Sequence, residues 1–209
     1  MSIEKAYNSW AKIYDTNKNE TRDLDKKSTI KILKNYPFET VLELGCGTGK
    51  NTVWLSTKAK KIIALDFSQK MLNKAKKKIQ NDDVIFKKAN LLNNWEVENE
   101  FADLITSSLT LEHIKDLNFI FSQAHLKLKT NGIFFINELH PFKQYSGSKA
   151  RFDSEKGTKV LEVYTHHISD YINSAKENGF KLKEIYEQFD DSNRNEIPRL
   201  ISFIFKKID

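Results

Sequence analysis

Three glycines at alternate positions follow a short apolar run in the first quarter of the chain. Residues 41–44 have the pattern of a β-strand, and Gly45, Gly47 and Gly49 separate it from a helical pattern that begins at Val53. Glycine lets the backbone turn tightly, and without a side chain it lets a ligand approach the main chain. The segment therefore predicts a ligand-binding turn between a strand and a helix.

The spacing of these glycines argues against two phosphate-binding motifs. A dinucleotide fingerprint requires G-x-G-x-x-G, and a P-loop requires Gly-Lys-Ser/Thr, whereas Gly49-Lys50 is followed here by Asn51. A carboxylate, Asp66, ends the next strand pattern, where it can accept hydrogen bonds from both hydroxyls of a ribose. Asp66 alone is also explained as a helix-capping acid, but its pairing with the glycine turn favours the ribose interpretation.

Strand and helix patterns alternate along the chain and position this turn. Short apolar runs predict strands at residues 41–44, 61–65, 84–86, 101–106 and 133–136. The stripes between them predict helices, and Asn131-Gly132 is expected to end the helix that begins after Asp116. Because parallel strands need such crossovers, the sequence predicts βαβ units and a parallel sheet. Two later strand patterns, 180–189 and 200–206, have no helix between them and predict an antiparallel hairpin.

Two segments lie outside this alternation. Residues 1–35 have a helical pattern with Tyr7, Trp10 and Tyr14 on one face, which predicts an N-terminal helical cap. Residues 141–165 interrupt the strand–helix rhythm and predict an inserted loop or hairpin that turns near residues 155–157. Since no repeat or linker is visible, we expect residues 1–209 to form a single domain.

Composition narrows the class of protein. The 209 residues carry 34 Lys and Arg against 28 Asp and Glu, a formal net charge of +6, with 39% hydrophobic residues, which argues against disorder. No apolar run reaches the roughly 18–20 residues that span a bilayer, and the start lacks a hydrophobic signal core. We therefore expect a cytoplasmic protein without a membrane partner. The lysine-rich stretch 70–78 contains no aromatic residue for base stacking, and it predicts a solvated helix face.

Together these motifs resemble the class I S-adenosylmethionine-dependent methyltransferases, and particularly their small-molecule branch, the ubiquinone and menaquinone methyltransferases. Residues 41–49 are similar to the family's first motif, 63–68 to its second, 101–109 to its fourth-strand motif and 128–135 to the approach to strand five. The resemblance implies an α/β fold: a Rossmann-like, doubly wound sheet of seven strands in the order 3-2-1-4-5-7-6, the last antiparallel. It further implies an N-terminal helical segment, a short substrate lid after strand five, and S-adenosylmethionine as cofactor, with S-adenosylhomocysteine as product.

The resemblance assigns the cofactor chiefly to the motifs of the first strands. Asn90 stands where the third motif usually offers an aspartate to the adenine amino group, and an asparagine carbonyl also accepts that bond. Cys46, the single cysteine, is interpreted as a small residue near the ligand, since it has no partner for a disulfide or a metal cluster. The predicted cofactor-binding residues are Glu43, Gly45, Cys46, Gly47, Gly49, Asp66, Phe67, Met71, Asn90, Leu91, Ser107 and Tyr14.

Histidines supply the candidates for the methyl-acceptor side. Transfer from a sulfonium is an in-line displacement that needs positioning and a deprotonated acceptor. His140 follows strand five and is predicted as general base or acceptor-orienting group, with His113 and His166 as further catalytic candidates. Each of the three also has a purely structural interpretation, as a capping or packing residue. The predicted substrate-binding residues are Tyr7, Glu138, Tyr145 and Arg151. Adjacent histidines point apart and no cluster has ligand spacing, so no metal is expected.

These observations predict methyl transfer to an N, O or S atom of a small metabolite, by a monomer or homodimer without a nucleic-acid partner. Two alternatives stay open: an RNA or protein methyltransferase that uses the lysine surface, and a protein that binds S-adenosylmethionine without catalysis. The sequence shows no Asn/Asp-Pro-Pro-Tyr/Phe tetrapeptide typical of enzymes that methylate base amines, which weighs against an RNA substrate.

Overall fold

A computed structural model describes residues 3–148, 151–154, 157–190 and 194–208, and gives only the backbone of the segments 151–154 and 157–160. The strands are β1 (Thr40–Leu44), β2 (Lys61–Asp66), β3 (Val84–Lys88), β4 (Ala102–Ser108), β5 (Leu128–Leu139), β6 (Arg151–Ser154), β7 (Gly157–Val160), β8 (Phe180–Gln188) and β9 (Leu200–Lys207). The helices are α1 (Ile3–Trp10), α2 (Glu20–Leu33), α3 (Thr52–Leu55), α4 (Gln69–Lys78), α5 (Leu117–Lys127), α6 (Pro141–Tyr145) and α7 (Ile168–Glu177), with a short 3₁₀-helix, η1 (Leu111–His113).

Seven of the described strands form one sheet in the order β3-β2-β1-β4-β5-β9-β8. Strands β1 to β5 pair in parallel, whereas β9 runs antiparallel to both β5 and β8. The predicted order 3-2-1-4-5-7-6, with its antiparallel last strand, is confirmed once β6 and β7 are counted apart. Those two strands pair antiparallel in a separate sheet within the predicted insert, and residues 155–156, near which the sequence predicts a turn, lie outside the described residues.

The sheet is covered on both faces because successive side chains of a strand point to opposite sides. On one face Leu42 and Phe134 pack with Phe121 of α5 in a large cluster that includes residues of α7. On the other face their neighbours Val41 and Phe135 pack with residues of α2, α3 and α4. This burial holds the carboxyl ends of β1, β2 and β4 in a fixed position.

The junction of α5 and β5 differs from the prediction that Asn131-Gly132 ends the helix. Helix α5 ends at Lys127, and Leu128 already pairs with Ala102 of β4. Asn131 has a φ of +65° within β5, close to a shift in the β4–β5 register. The left-handed residue therefore belongs to an irregularity in the strand, because pairing with β4 begins before the Asn-Gly step.

The N-terminal segment is helical in two pieces. Helix α1 ends at Trp10, turns follow, and Asn19 begins α2 by accepting a hydrogen bond from the backbone N of Arg22. Helix α1 packs against α4, and Ala6 and Trp10 form a small cluster of their own with Leu161. In the part of the chain that the structure describes, no helix combines the length and the apolar character that crossing a membrane requires.

Candidate active site

The glycine turn after β1 has the backbone conformation that the sequence predicts. Gly45 and Gly47 have φ values of +68° and +54°, in the left-handed region that glycine tolerates best. A Cβ at Gly45 would lie 2.2 Å from Oγ1 of Thr110, so this glycine permits a close approach of the loop after β4. A Cβ at Gly47 would meet nothing within 4 Å, because Gly47 faces open space. Gly47 is therefore the point at which a ligand can reach the main chain.

Asp66, at the end of β2, is joined directly to this turn. Its Oδ2 accepts a hydrogen bond from the backbone N of Gly47 at 2.9 Å, and its Oδ1 accepts from the backbone N of Ser68 at 2.7 Å. Burial raises the pKa of the Asp66 carboxyl to about 6, against the lowering effect of the two backbone hydrogen bonds. Each oxygen keeps a lone pair for a further donor.

A cavity of about 910 Å³, the large cavity, opens at the carboxyl ends of the parallel strands. This is the edge at which open α/β sheets bind ligands, and the volume lies in the range of small-molecule sites. His113 lines it, and so do eight of the predicted cofactor and substrate residues: Tyr7, Tyr14, Gly45, Gly47, Asp66, Phe67, Asn90 and Leu91.

Other predicted cofactor residues lie near the glycine turn without lining the large cavity. Glu43 and Cys46 line a much smaller cavity of about 50 Å³ beneath the turn, the small cavity. Gly49 packs against α4, where its Cβ would lie 3.0 Å from Cδ1 of Ile79. Met71 and Ser107 are fully buried and line neither cavity. The motif therefore identifies the glycine turn correctly. It does not distinguish the residues that can contact a ligand from those that only pack inside the protein.

Two buried carboxyls meet at the small cavity. Burial raises the pKa of Glu43 to about 8, and it also raises the pKa of Asp25 in α2. Asp25 accepts hydrogen bonds from the side-chain amides of Asn51 and Asn137, and Thr52 donates to Glu43. Within the described residues neither carboxyl forms an ion pair, and Arg22 and Lys50 line the same cavity, so it suits a group that carries both a positive and a negative charge.

In the wall of the large cavity, Tyr7 of α1 packs against Phe67 and contacts His113 of η1. The Tyr7 hydroxyl lies 2.8 Å from Nε2 of His113, and Nδ1 of His113 lies 3.1 Å from the carbonyl oxygen of Glu162. Because a carbonyl only accepts, Nδ1 carries the proton, and in the neutral ring Nε2 accepts from the Tyr7 hydroxyl. Burial lowers the pKa of His113 and raises that of Tyr7, so both groups are neutral near pH 7.

Two other predicted residues hold η1 in place. Oε1 of Glu138 accepts from the backbone N of Thr110 and of Leu111, each at 2.9 Å. Nε2 of His166 lies 2.8 Å from the carbonyl oxygen of Ile114, to which it donates. Neither side chain lines the large cavity. The structure therefore places Glu138 and His166 behind the segment that carries His113.

His140 does not reach the large cavity either. It is the N-cap of α6: its Nδ1 accepts from the backbone N of Phe142, and its Nε2 lies 3.2 Å from Oε1 of Glu187 on β8. Tyr145 is half-exposed and contacts His167, outside the cavity wall. The side chain of Arg151 lies outside the described residues. Of the three predicted histidines, the structure brings only His113 to the cavity.

Two lining residues gave no clear signal in the sequence. Leu109 has a φ of +51°, rare for a residue with a Cβ, and lines the large and the small cavities. Arg22 is 7% exposed and its guanidinium lies over the ring of Tyr14. In the sequence Arg22 is one of several charges in an amphipathic helix, and its burial depends on how α2 packs. Among the described residues no group of His, Cys, Asp or Glu is placed to hold a metal ion.

The residues present fit S-adenosylmethionine. The buried Asp66 carboxylate stands at the turn for a ribose, the open face of Gly47 leaves room beside it, and Phe67 and Leu91 offer apolar surface for an adenine. Asp25 and Glu43 suit the ammonium group. The polar groups, the apolar surface and the free space that fit S-adenosylmethionine all belong to this chain.

Comparison with known proteins agrees with this fit. Residues 42–136 match the sequence profile of the family described as "Methyltransferase domain". The chain is 29% identical over 199 residues to a malonyl-[acyl-carrier protein] O-methyltransferase of Priestia megaterium, covering 88% of this chain and 72% of that protein.

Solved structures share the fold. An S-adenosylmethionine-dependent methyltransferase from Clostridium acetobutylicum superposes with a TM-score of 0.72 at 21% identity, covering 98% of this chain and 100% of that one. The complex of DhpI with S-adenosylhomocysteine superposes with a TM-score of 0.76 at 18% identity, covering 98% and 95%. Residues 42–136 thus carry the match to a methyltransferase domain, and the solved structures show that the chain has the fold of S-adenosylmethionine-dependent methyltransferases, in agreement with the motifs, the sheet order and the Asp66–Gly47 turn.

Proposed function

We propose that the chain methylates an N, O or S atom of a small metabolite, and that Tyr7 and His113 receive the proton that the acceptor loses. The observation that carries this proposal is the partly buried contact between Tyr7 and His113 in the wall of the large cavity. The side chain of His113 is only 10% exposed. An acceptor must therefore fit inside the cavity, which favours a small molecule over an RNA or a folded protein.

When bound, S-adenosylmethionine supplies an electrophilic methyl group on a sulfonium. The residues of this chain have three tasks around it. Asp66 and the backbone at Gly47 would orient the ribose, and Asp25 and Glu43 would accept hydrogen bonds from the ammonium group, whose charge favours the ionised form of these carboxyls. Helix α1, through Tyr7, closes the cavity against water. Because methyl transfer is mostly a matter of positioning, this rigid frame accounts for much of the catalysis.

The path of the acceptor's proton follows from the tautomer of His113. With the cofactor bound, the acceptor atom would give its proton to the oxygen of Tyr7, and Tyr7 would pass its own proton to Nε2 of His113, while the sulfur–methyl bond breaks and the sulfonium becomes the neutral thioether of S-adenosylhomocysteine. The resulting imidazolium donates from Nδ1 to the carbonyl of Glu162, and Oε1 of Glu112 lies 3.9 Å from Nε2. Burial raises the pKa of Glu112 to about 7, so a nearby imidazolium favours its ionised form.

The chain's relatives support an oxygen acceptor as one case. The Priestia megaterium protein is described as an O-methyltransferase, and at 29% identity it shares most of the length of this chain. The relay from Tyr7 to His113 can take the proton of a hydroxyl, an amine or a thiol, because each of these groups loses one proton on methylation.

The test is a labelling experiment with three acceptor pools. The protein is incubated with S-adenosylmethionine carrying a tritiated methyl group, and with the small-molecule, RNA and protein fractions of a cell extract. We expect label in the small-molecule fraction only, and less of it with the Asp66→Ala variant when S-adenosylmethionine is below saturation. Label confined to RNA or to protein contradicts the proposal. Binding of S-adenosylhomocysteine without label in any fraction supports a non-catalytic binding protein instead.

A further inference from the structure

The seven-stranded sheet has two edge strands, β3 and β8. The edge of β8 is irregular, because its register with β9 shifts between Leu182 and Glu184, and a bulge disturbs the row of backbone groups that another strand would need. Strand β3 pairs with β2 from Val84 to Lys88 without such a shift. No described strand covers the outer side of β3, so this strand offers a regular edge to another chain.

The direction of the free backbone groups of β3 follows from its bonds to β2. Before β3 the carbonyl oxygen of Asp83 accepts from the backbone N of Ile62, and after β3 the backbone N of Ala89 donates to β2 as well. Since successive residues of a strand direct their backbone N–H and C=O groups to opposite sides, the odd-numbered residues of β3 face β2. The carbonyl group of Val84 and both backbone groups of Phe86 therefore point outward.

The charges along this edge are complementary to themselves. Residues 82–88 are two aspartates, three apolar residues and two lysines, in that order. Two copies that pair antiparallel about Ile85 place Asp83 of each copy opposite Lys87 of the other. Lys88 also comes opposite an acid, but it already forms an ion pair with α1 in its own chain. The Asp83–Lys87 match therefore carries the complementarity.

The backbone allows this register and its neighbours do not match the charges. In this register Val84 lies opposite Phe86 of the second copy, so that the outward groups of the two strands meet in hydrogen-bonded pairs. The next registers that keep outward groups opposite each other are shifted by two residues. Either shift separates Asp83 from Lys87. A single antiparallel register thus satisfies both the hydrogen bonds and the charges.

The side chains on one face of the edge have no other task in the chain. Ile85 is 38% exposed, and it lies between the exposed side chains of Asp83 and Lys87 on the same face. Among the described residues neither of these two charges forms an ion pair, and Nζ of Lys87 donates to the carbonyl oxygen of Glu96 at an exposed position. Pairing would bring the two Ile85 side chains together, with an ion pair on each side.

The opposite face of the edge has a cavity that the second copy would cover. This cavity, of about 590 Å³, is lined by residues of α4 and β3 and by the turn between them. Ile79, Val84 and Phe86 supply its apolar wall. Because Phe86 of the second copy comes opposite Val84, its ring would lie at this cavity. The pairing therefore removes apolar surface from water on both faces of the sheet.

We propose that two copies of the chain associate through β3, antiparallel about Ile85, so that their two sheets continue as one. The occupant of the edge is a second copy because the matching order of charges is the chain's own, and a two-fold axis uses each contact twice. The paired segments are short, so the dimer is weak and reversible. The inference concerns assembly and is independent of the methyl acceptor.

Charge reversal tests the pairing in sedimentation velocity over a range of protein concentrations. We expect the dimer fraction of the unaltered chain to rise with concentration. Lys87→Glu sets two acids opposite each other at both ends of the interface and should weaken dimerisation about tenfold or more, and Asp83→Lys should act alike with two bases. Lys58→Glu, at an exposed position away from β3, changes the net charge as Lys87→Glu does and is the control.

Two further variants test the match and the register. The double variant Asp83→Lys with Lys87→Glu exchanges the two charges, so it should recover the dimerisation of the unaltered chain. Ile85→Cys should form a disulfide between two copies on oxidation, because Cα atoms of such a non-hydrogen-bonded pair lie about 4.5 Å apart. Ile185→Cys, an exposed position on the other edge strand, is the control. The native Cys46 is buried and does not compete.

Four results would overturn the proposal. A monomer at every concentration excludes the dimer. A dimer that Lys87→Glu weakens no more than Lys58→Glu forms through another surface. A double variant as weak as the two single variants shows that the charges do not meet, and equal disulfide formation at Ile85→Cys and Ile185→Cys excludes the register. The labelling experiment is unaffected by any of these results, so the proposed function is tested separately.

Discussion

The cofactor side and the acceptor side of the cavity are built in different ways. On the cofactor side, the glycine turn and Asp66 lie at the ends of adjacent parallel strands, where Leu44 pairs with Leu65. On the acceptor side, Tyr7 and His113 are 106 residues apart and meet only because α1 crosses the carboxyl edge of the sheet. The first arrangement follows from local sequence and strand register, and the second depends on the packing of a helix outside the sheet.

The largest expected effect separates the histidines of the acceptor side. Replacing His113 by Gln removes the acceptor for the proton of Tyr7, and kcat with the acceptor found by labelling should fall about 10²–10⁴-fold, the usual contribution of general-base catalysis. His140→Gln changes a helix cap and a contact to Glu187, so it should act on thermal stability more than on kcat. The measurement is steady-state kinetics with both variants. A larger loss of kcat in His140→Gln than in His113→Gln would assign the catalytic role to His140, directly after β5.

The second effect concerns the cofactor side. Asp66→Ala removes two charge-assisted hydrogen bonds to a ribose, each worth about 1.5–3 kcal/mol. Affinity for S-adenosylhomocysteine should therefore fall at least about tenfold in calorimetry, with kcat affected less once the cofactor saturates. His113→Gln serves as the control, because it should leave this affinity nearly unchanged. Unchanged affinity in Asp66→Ala would mean that Asp66 only joins β2 to the glycine turn.

The contrast between the two sides also explains what the sequence predicts. The sheet order follows from the resemblance to the methyltransferase family. Spacing predicts the glycine turn and Asp66, because strand ends in a parallel sheet share one edge. Spacing also places His140 near the cavity, because His140 follows the end of β5. The structure shows that the imidazole ring turns away, since it caps α6 and contacts β8. Arg22 and the Tyr7–His113 contact depend on how α1 and α2 lie over the sheet, which no local pattern encodes.

Two glycines of the same turn should separate binding from folding. Gly47→Ala adds a Cβ in open space at a left-handed φ, which costs ~1–2 kcal/mol of stability. It also fills space beside Asp66, so affinity for S-adenosylhomocysteine should fall about tenfold. Gly45→Ala has the same backbone cost and in addition collides with Thr110. Its melting temperature should therefore fall further than that of Gly47→Ala, and the reverse order in thermal unfolding would contradict this reading of the turn.

The pH dependence of cofactor binding gives a smaller effect. The pKa of Asp66 in the ligand-free protein is raised by burial to about 6, and the ionised form accepts the ribose hydroxyls. Affinity should therefore be complete well above pH 6 and decline as the pH falls through 6. At pH 5 about one tenth of the carboxyl is ionised, so the loss relative to pH 7.5 is about tenfold at most. Asp66→Asn should abolish this step in calorimetry, and a step of equal size in that variant would assign it to another group.

The smallest effect tests the adenine end of the cofactor side, where the sequence departs from the usual aspartate. Asn90 lines the large cavity, and its Oδ1 already accepts a hydrogen bond from the backbone N of Leu92 at 3.1 Å. An aspartate would keep that bond and add a second, charged oxygen for the adenine amino group. Since such a gain is worth about 0.5–1 kcal/mol, Asn90→Asp should bind S-adenosylhomocysteine about two- to fivefold more tightly. The analogue whose adenine amino group is replaced by hydrogen is the control, because it has nothing to donate and should show no gain. If both ligands gain equally, the added charge acts at long range on the sulfur end, and Asn90 does not contact the adenine.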